Sequence, residues 1–171
     1  MNINPKLYLM LGYPGAGKTT TAEVIHKLTG AVHLSSDLLR VEMFEAPKFD
    51  QPEHDELYKA LDEQTEKLLG EGKSVIYDAN LNRYQHRADK YEICKRTSAK
   101  PILVWVQTAK ELAKQRATEP TRAHLVPQNE TLSQMFDRIA LIIEEPTATE
   151  PFIPTDGTQI SPEYVSKILG L

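Results

Sequence analysis

An α/β fold, with a parallel sheet sandwiched between helices, is predicted by three features of this sequence. Strand-like and helix-like segments alternate from one end of the 171-residue chain to the other. A glycine-rich turn joins the first predicted strand to the first predicted helix. The chain is about one domain long and 40% apolar, which is enough to bury a sizeable core, and no linker or internal repeat divides it. We therefore expect residues 1–171 to form a single domain.

The first half of the chain predicts three strands and three helices. An unbroken apolar run predicts the first strand, and apolar residues at helical spacing after Lys18 predict the helix behind it. Leu57, Leu61 and Leu68 recur at helical spacing in a longer segment that ends before Gly70. In chain order the predicted strands are residues 7–11, 32–34 and 74–78, and the predicted helices are residues 18–28, 37–45 and 53–69.

The second half of the chain predicts two strands and four helices. Asn82 is a suitable cap for a helix that runs to about residue 97, and Pro162 suits the first position of the last helix. A polar stretch rich in Thr, Pro and Arg separates the two helices between them. The predicted strands are residues 102–107 and a short one near 152–153, and the two middle helices are residues 110–117 and 131–143.

The composition excludes several classes of function. Twenty Lys and Arg against 24 Asp and Glu give a net charge of −4, so no general positive field would draw the chain to nucleic acid or to an anionic membrane. Cys94 is the only cysteine, which excludes an internal disulfide and a cysteine-ligated zinc site and fits a reducing compartment. The longest apolar runs span five residues, far fewer than the roughly 20 that cross a bilayer, and no signal peptide precedes them. We expect a cytoplasmic protein with no membrane partner.

Residues 12–19 carry the clearest chemical signal in the sequence. They match the pattern G-x-x-x-x-G-K-[ST] between a strand and a helix, which predicts a P-loop NTPase fold. Glycines let the backbone curl so that its N–H groups and the positive end of the following helix face phosphate oxygens. Lys18 is expected to bridge the outer phosphates of ATP, and Thr19 to bind Mg²⁺. The residues predicted to bind the nucleotide here are Gly12, Pro14, Gly15, Ala16, Gly17, Lys18, Thr19 and Thr20.

Carboxylates follow two further predicted strands, at the edge where parallel sheets place their ligand sites. Asp37 comes just after the second strand, and Arg40 shares its helix face three residues later. Asp37 can accept the proton of an attacking hydroxyl group, whereas the alternative is that Ser36 or Asp37 only caps the helix. Asp78 ends the third strand, where it can hold Mg²⁺ through water, orient Arg40, or serve only as a turn carboxylate.

The identity of the residue after Asp78 helps to distinguish proteins that hydrolyse the nucleotide from proteins that transfer its phosphoryl group. Many motor-type ATPases have a glutamate at this place to orient water, whereas this chain has Ala79. The guanine-reading pattern Asn-Lys-x-Asp does not occur in the sequence. Both observations favour transfer to a hydroxyl group over a motor or a GTPase switch.

Three stretches add to the P-loop pattern of residues 12–19. They are Ser36-Asp37-x-x-Arg40, the strand-end segment Asp78-Ala79-Asn80-Leu81-Asn82, and the segment from Arg116 to Pro127. With these four stretches the chain resembles the P-loop kinases of the polynucleotide 5′-hydroxyl kinase type and, more distantly, zeta-toxin-like and small-molecule kinases. The resemblance implies that Asp37 is the general base, that Arg40 holds a phosphate of the acceptor, and that Asn80 lies at the acceptor site.

Two departures from that family concern the strand-end segment and the lid. Ala79 stands where family members usually have threonine. A polar, proline-containing segment at about residues 116–130 suits a lid that closes over nucleotide and excludes water. Its arginines, Arg116 and Arg122, are separated by five residues of chain rather than closely spaced. We predict Arg116 as a catalytic residue and Arg122 as a nucleotide ligand, with either able to reach the γ-phosphate and ordinary surface charge as the alternative.

A basic stripe predicts where the acceptor binds. Arg83, Arg87 and Lys90 fall at i, i+4 and i+7 of one helix. The neighbouring apolar stripe, expected to face the core, contains Tyr84, Ala88, Tyr91 and Cys94. Arg83 opposes the helix macrodipole, which hints at an anionic acceptor bound by Arg83 and Arg87, and a solvated helix face is the alternative. Residues 42–66 hold nine carboxylates and two lysines, so a short or end-bound acceptor is easier to accommodate than a threaded strand.

The sequence therefore predicts a kinase that moves the γ-phosphoryl group of ATP, with Mg²⁺, to a hydroxyl-bearing acceptor. The resemblance implies the 5′ end of an oligonucleotide as that acceptor. A sugar, a nucleoside or an antibiotic is the alternative acceptor, and an ATP-dependent binding module that regulates a partner is the alternative of another class. The five histidines lack metal-ligand spacing and are expected to be structural or on the surface, and Trp105 is expected in the core.

Overall fold

Five parallel strands form the central sheet in a computed structural model that describes residues 4–171. The strands are β1 (Lys6–Leu11), β2 (Val32–Ser35), β3 (Val75–Asp78), β4 (Lys100–Gln107) and β5 (Phe152–Asp156). Their order across the sheet is β2-β3-β1-β4-β5, and every adjacent pair runs parallel. All five carboxyl ends therefore lie along one edge, where the loops that follow them can meet. The predicted α/β class with a parallel sheet is confirmed.

Within the described residues there are seven α-helices and one 3₁₀ helix, Pro120–Leu125; the last α-helix follows β5 and the others lie between strands. No helix in this part of the chain is long and apolar enough to span a bilayer. Predicted and observed helices differ by a few residues at their ends. Arg83 rather than the predicted Asn82 stands at the N-cap of the fourth helix, and Asn82 is buried one residue before it. The helices are α1 (Lys18–Thr29), α2 (Ser36–Met43), α3 (Gln51–Gly70), α4 (Tyr84–Thr97), α5 (Lys110–Ala117), α6 (Leu132–Leu141) and α7 (Pro162–Leu169).

The core lies on both faces of the sheet, because alternate residues of the central strand β1 point to opposite sides. Leu7, Leu9 and Leu11 pack on one face in a cluster that includes leucines of α3. Tyr8 and Met10 pack on the other face with residues of α1 and α7. A parallel sheet that is covered on both faces needs nearly continuous apolar strands, and β1 meets that requirement.

Helix α4 is turned differently from its sequence-based prediction. Arg87 is fully buried and Lys90 is only 4% exposed, whereas Tyr84 is 51% exposed. Arg87 donates to both carboxylate oxygens of Glu150, at 2.7 and 2.9 Å, and Lys90 donates to Asp62 at 2.6 Å. Burial of a cation is tolerated only with such partners. The prediction of an exposed basic stripe on this helix is therefore wrong for two of its three members.

Candidate active site

A cleft of about 330 Å³ opens where the loops at the carboxyl edge of the sheet meet. It is lined by the loop after β1, the start of α2, the first turns of α3 and the end of β3. The segment that contains the 3₁₀ helix, together with α6, supplies the remaining wall. Residues from most of the chain are thereby brought into one site.

The loop after β1 is packed so closely that two of its glycines leave no room for a side chain. Gly15 has φ +77°, and a Cβ there would lie 2.2 Å from the carbonyl oxygen of Ala113. Gly12 has φ +153°, and a Cβ there would lie 2.5 Å from the carbonyl oxygen of Val106. Among the predicted nucleotide ligands, Gly12 and Ala16 are buried within this loop. The others line the cleft and are Pro14, Gly15, Gly17, Lys18, Thr19 and Thr20.

Lys18 is held at the phosphate end of the cleft by its own loop. Its Nζ donates to the carbonyl oxygens of Gly12, at 2.9 Å, and Tyr13, at 3.0 Å. Burial lowers the pKa of Lys18, and the nearby carboxylates Asp78 and Asp37 oppose that shift. Because the cation has lost much of its contact with water, a phosphate group would stabilise its charged form.

Thr19 and Asp78 meet at the junction of α1 and β3. The Thr19 hydroxyl donates to Asp78 Oδ2 at 2.8 Å, and His33 Nε2 lies 3.0 Å from the same oxygen. A hydroxyl and a carboxylate oxygen are the kinds of ligand that Mg²⁺ prefers, so the donor set fits this metal. His33 was missed by the sequence analysis, because its contact with Asp78 depends on the pairing of β2 with β3.

Asp37 is available to the cleft because another residue caps α2. The backbone N–H of Leu38 donates to the hydroxyl oxygen of Ser35, which occupies the N-cap position. The cap that the sequence analysis offered to Ser36 or Asp37 is thus taken by Ser35. The Asp37 side chain is exposed to solvent, yet protein atoms of the cleft displace part of the water around its carboxylate, and this desolvation raises its pKa. The charge of Asp78 adds to the shift, while nearby cations oppose it. A carboxylate with a raised pKa is a stronger base.

Arg40 forms an ion pair with Glu53, a residue that the sequence analysis did not single out. Arg40 Nη1 donates to Glu53 Oε1, and the guanidinium carbon lies 4.7 Å from the centroid of the Phe49 ring. The backbone N–H groups of Lys48 and Phe49 donate to Glu53 at 2.6 and 3.2 Å. Burial acts to raise the pKa of Glu53, but these donors outweigh it and hold that pKa below its usual range. Phe49 has φ 58°, a strained conformation for a bulky residue that these contacts hold in place.

A neutral aromatic surface continues the wall beyond Arg40. The backbone N–H of Asn80 donates to the Tyr58 hydroxyl at 3.1 Å, and the rings of His54 and Tyr58 lie 4.3 Å apart. Burial raises the pKa of Tyr58 to about 12, so its phenol stays neutral at physiological pH. Burial also lowers the pKa of His54, and the charge of Arg40 adds to this shift. Asn80 lies in the cleft as predicted, whereas His54 and Tyr58 gave no signal in the sequence beyond their helical spacing.

The two predicted lid arginines have different surroundings. Arg122 lines the cleft, and its charge contributes to lowering the pKa of Lys18. Arg116 Nη1 donates to the carbonyl oxygen of Gly157 at 3.2 Å, which holds it at the loop after β5 and outside the cleft lining. The structure therefore does not support Arg116 as a catalytic residue. Arg138 on α6, which the sequence analysis missed, lines the cleft on the same helix face as Met135 and Ile139.

The structure also corrects the prediction that Arg83 and Arg87 bind the acceptor. Arg87 is fully buried, and its guanidinium group donates hydrogen bonds to the carboxylate of Glu150. Arg83 is exposed at the N-terminus of α4, but it does not line the cleft. Neither arginine is placed to hold an acceptor next to Asp37.

Comparisons with known proteins agree with this fold. A family model described as an AAA domain matches residues 7–141. A gluconokinase from Sinorhizobium meliloti is 17% identical, with a TM-score of 0.66 over 98% of this chain and 91% of that chain. An APS kinase from Mycobacterium tuberculosis, solved with AMPPNP and APS, is 16% identical, with a TM-score of 0.72 over 98% and 96% of the two chains.

A third solved structure is a chain of the Pnkp1/Rnl/Hen1 RNA repair complex. It is 19% identical, with a TM-score of 0.65 over 81% of this chain and 44% of that chain. No curated protein matches the sequence. At such low identities the likeness to solved structures establishes the fold, and the family match establishes the kind of domain.

Proposed function

The chain belongs to the AAA domain family that its residues 7–141 match, as a P-loop kinase domain, and from that membership we propose that it transfers the γ-phosphoryl group of ATP to a hydroxyl group. One observation carries the proposal. Asp37 is free of the helix cap and faces the same cleft as the P-loop, with a pKa raised by burial. A helix cap needs no such placement, whereas a general base does.

The nucleotide side of the cleft is formed by the P-loop and the lid. Backbone N–H groups after Gly12 and the positive end of α1 suit phosphate oxygens, and Lys18 and Arg122 supply two cations. Thr19 and Asp78 are the residues that would hold Mg²⁺, which neutralises phosphate charge when it is bound. This division leaves Asp37 for the acceptor.

In the proposed reaction, Asp37 accepts the proton of the acceptor hydroxyl as that oxygen forms a bond to the γ-phosphorus. The bridging bond between the γ-phosphorus and the β-phosphate oxygen breaks, and ADP leaves with the electron pair. Lys18 and Arg122 stabilise the charge on the transferred group. Leu125, Pro127 and other apolar lid residues line the cleft and exclude water, which would otherwise compete with the acceptor.

A polynucleotide 5′ end is a second candidate acceptor. It is favoured by the segment Asp78-Ala79-Asn80-Leu81-Asn82, through its resemblance to polynucleotide 5′-hydroxyl kinases, and by the likeness to a chain of an RNA repair complex. Against it, Arg83 and Arg87 do not line the cleft, so they are not placed to bind the phosphates of such an acceptor. The polynucleotide carries phosphate groups next to its 5′-hydroxyl, whereas a small acceptor such as a sugar or a nucleoside carries none.

We also propose that the protein works in the cytoplasm. Cys94 is a buried free thiol, and burial raises its pKa to about 11. Such a thiol is unreactive and has no disulfide partner within the chain, which suits a reducing compartment.

The proposed reaction is tested with γ-labelled ATP, magnesium and a panel of hydroxyl compounds that includes sugars, nucleosides and a 5′-hydroxyl oligonucleotide. We expect ADP to form in proportion to label in a phosphate ester of one acceptor class. Label found only in inorganic phosphate would identify a hydrolase instead. Nucleotide binding without any turnover would favour the ATP-dependent binding module.

A further inference from the structure

We propose that the acceptor is a small hydroxyl compound without phosphate or any other anionic group, of the size of a sugar or a nucleoside. The proposal deepens the kinase function above and rests on it. Its basis is the way in which carboxylates of this chain neutralise the cations that could hold an anionic acceptor.

The pairing of Arg40 with Glu53 carries most of this inference. The resemblance to polynucleotide 5′-hydroxyl kinases implies that Arg40 holds a phosphate of the acceptor. Here the carboxylate of Glu53 neutralises the positive charge of Arg40. Its two oxygens also accept hydrogen bonds from the backbone N–H groups of Lys48 and Phe49. Arg40 and Glu53 are 12% and 6% exposed, so water screens the pair only weakly. A neutral pair suits a hydroxyl group better than it suits a phosphate dianion.

Arg138, a second arginine of the cleft lining, is also paired with a carboxylate. Arg138 donates to both carboxylate oxygens of Glu130, at 2.7 and 2.9 Å. Within the described residues that line the cleft, Lys18 and Arg122 are the Lys and Arg side chains without a carboxylate at ion-pair distance. ATP itself needs both of them, because its phosphates enter the P-loop. No unpaired lysine or arginine of this lining is then left for an acceptor phosphate.

The outer surface of the acceptor wall is acidic. Its exposed carboxylates lie on α2, on the first turns of α3 and on the segment between them, and they outnumber the exposed cations there, Lys48 and Lys59. Their summed field opposes the approach of a polyanion, such as a nucleic acid strand with one charge on each phosphate. These carboxylates are Glu42, Glu45, Asp50, Asp55 and Glu56.

The remaining acceptor wall is neutral and suits a small polar molecule. Phe49, His54 and Tyr58 offer aromatic faces, and the Asn80 side chain offers both a hydrogen-bond donor and acceptor. The cleft of about 330 Å³ must also hold the phosphates of ATP, which leaves room for a compact acceptor. Sugars and nucleosides share the necessary chemistry, namely several hydroxyl groups, an apolar face and no negative charge.

Matched pairs of acceptors test this proposal in the wild-type protein. Each neutral hydroxyl compound is compared with its own phosphate ester, for example a nucleoside with its 3′-monophosphate and a hexose with its 1-phosphate, using γ-labelled ATP and magnesium. We expect kcat/KM to be at least about tenfold higher for the neutral member. A 5′-hydroxyl oligonucleotide should take up no more label than a control without acceptor. The sugar and nucleoside arms then identify which neutral class is used.

The Glu53→Gln variant tests the cause of the preference. Removing the carboxylate charge frees Arg40, so the ratio of kcat/KM between the neutral and phosphorylated members should fall by about tenfold. Glu66→Gln is the matched control, because Glu66 lies on the same helix and is also paired with an arginine, Arg96, but on the exposed surface outside the cleft. Its acceptor ratio should equal that of the wild type.

Several results would overturn the proposal. A higher kcat/KM for the phosphorylated members would do so, as would label on the oligonucleotide. If MgATP binds but no neutral compound takes label, the acceptor class is wrong while nucleotide binding stands. If MgATP does not bind, the proposed function itself fails. Should Glu53→Gln not fold, as thermal unfolding would reveal, the wild-type acceptor ratio still decides between the outcomes.

Discussion

Replacing Asp37 by asparagine tests the proposed general base in depth. The change keeps the size of the side chain and leaves the cap of α2 intact, because Ser35 supplies that cap. A positioned general base contributes roughly 10² to 10⁴ in rate. We therefore expect turnover to fall by that factor, which corresponds to about 2.7 to 5.4 kcal/mol in activation free energy. Nucleotide binding should change little, since Asp37 is placed on the acceptor side.

The same substitution should also change the stability of the fold, and the raised pKa of Asp37 predicts the direction of that change. The pKa of Asp37 is raised in the folded protein, mainly by burial and then by Asp78. The favourable contribution of a group with a raised folded pKa is complete below its unfolded pKa and is lost as pH rises through its folded pKa. At pH 7 the ionised carboxylate therefore costs stability, and Asp37→Asn should raise the Tm. The difference in Tm should shrink as the pH falls below the unfolded pKa of about 4.

Three assays separate these effects from general damage. ADP formation measures turnover, calorimetric titration measures nucleotide binding, and thermal unfolding at pH 7 and pH 3 measures stability. Asp89→Asn is the control, because it removes an exposed aspartate of α4 that does not line the cleft. Turnover of Asp37→Asn within twofold of the wild type would refute the general-base role. A lower Tm at pH 7 would show that the ionised carboxylate stabilises the fold.

Four further substitutions probe the nucleotide site and the fold. Lys18→Met should weaken MgATP binding about tenfold or more, because it removes a charge-assisted phosphate contact, and an unchanged Kd in calorimetry would contradict this. Arg122→Gln should lower kcat by about 10² or more without a matching rise in KM if it stabilises the transferred group, and unchanged steady-state kinetics would exclude it. Gly15→Ala should cost about 1–3 kcal/mol of stability through backbone strain, as measured by urea unfolding, and should weaken MgATP binding in calorimetry. A variant equal to the wild type in both measurements would argue against the tight packing of this loop. Arg87→Met should cost about 3–5 kcal/mol in urea unfolding because Glu150 is left buried without its partner, and a loss below about 1 kcal/mol would mean that the pair is not buried.

Much of the fold and the position of the P-loop could be predicted from local patterns in the sequence. Strands were predicted because the central strands are continuous apolar runs, as in β1, and the P-loop because its glycines and Lys18 occur at fixed spacing between a strand and a helix. The position of Asp37 in the cleft lining was predictable because residues after parallel strands meet at one edge of the sheet. Each of these signals lies within about ten residues of chain.

Contacts between distant segments were not predictable in the same way. Arg87 and Lys90 gave a basic stripe by helical spacing, yet both are buried because partners 63 and 28 residues away neutralise them. The pairing of Arg40 with Glu53 depends on the packing of α2 against α3, and the contact of His33 with Asp78 depends on strand register. Amphipathic patterns assume that charged residues stay in solvent, and that assumption fails wherever a buried ion pair forms.

Calorimetric titration of the wild-type protein with MgATP tests the central claim most directly. The geometry of the P-loop, with Lys18 at its mouth and Thr19 beside Asp78, predicts one site per chain with a Kd between about 1 μM and 1 mM. The absence of any heat of binding at millimolar nucleotide would contradict it.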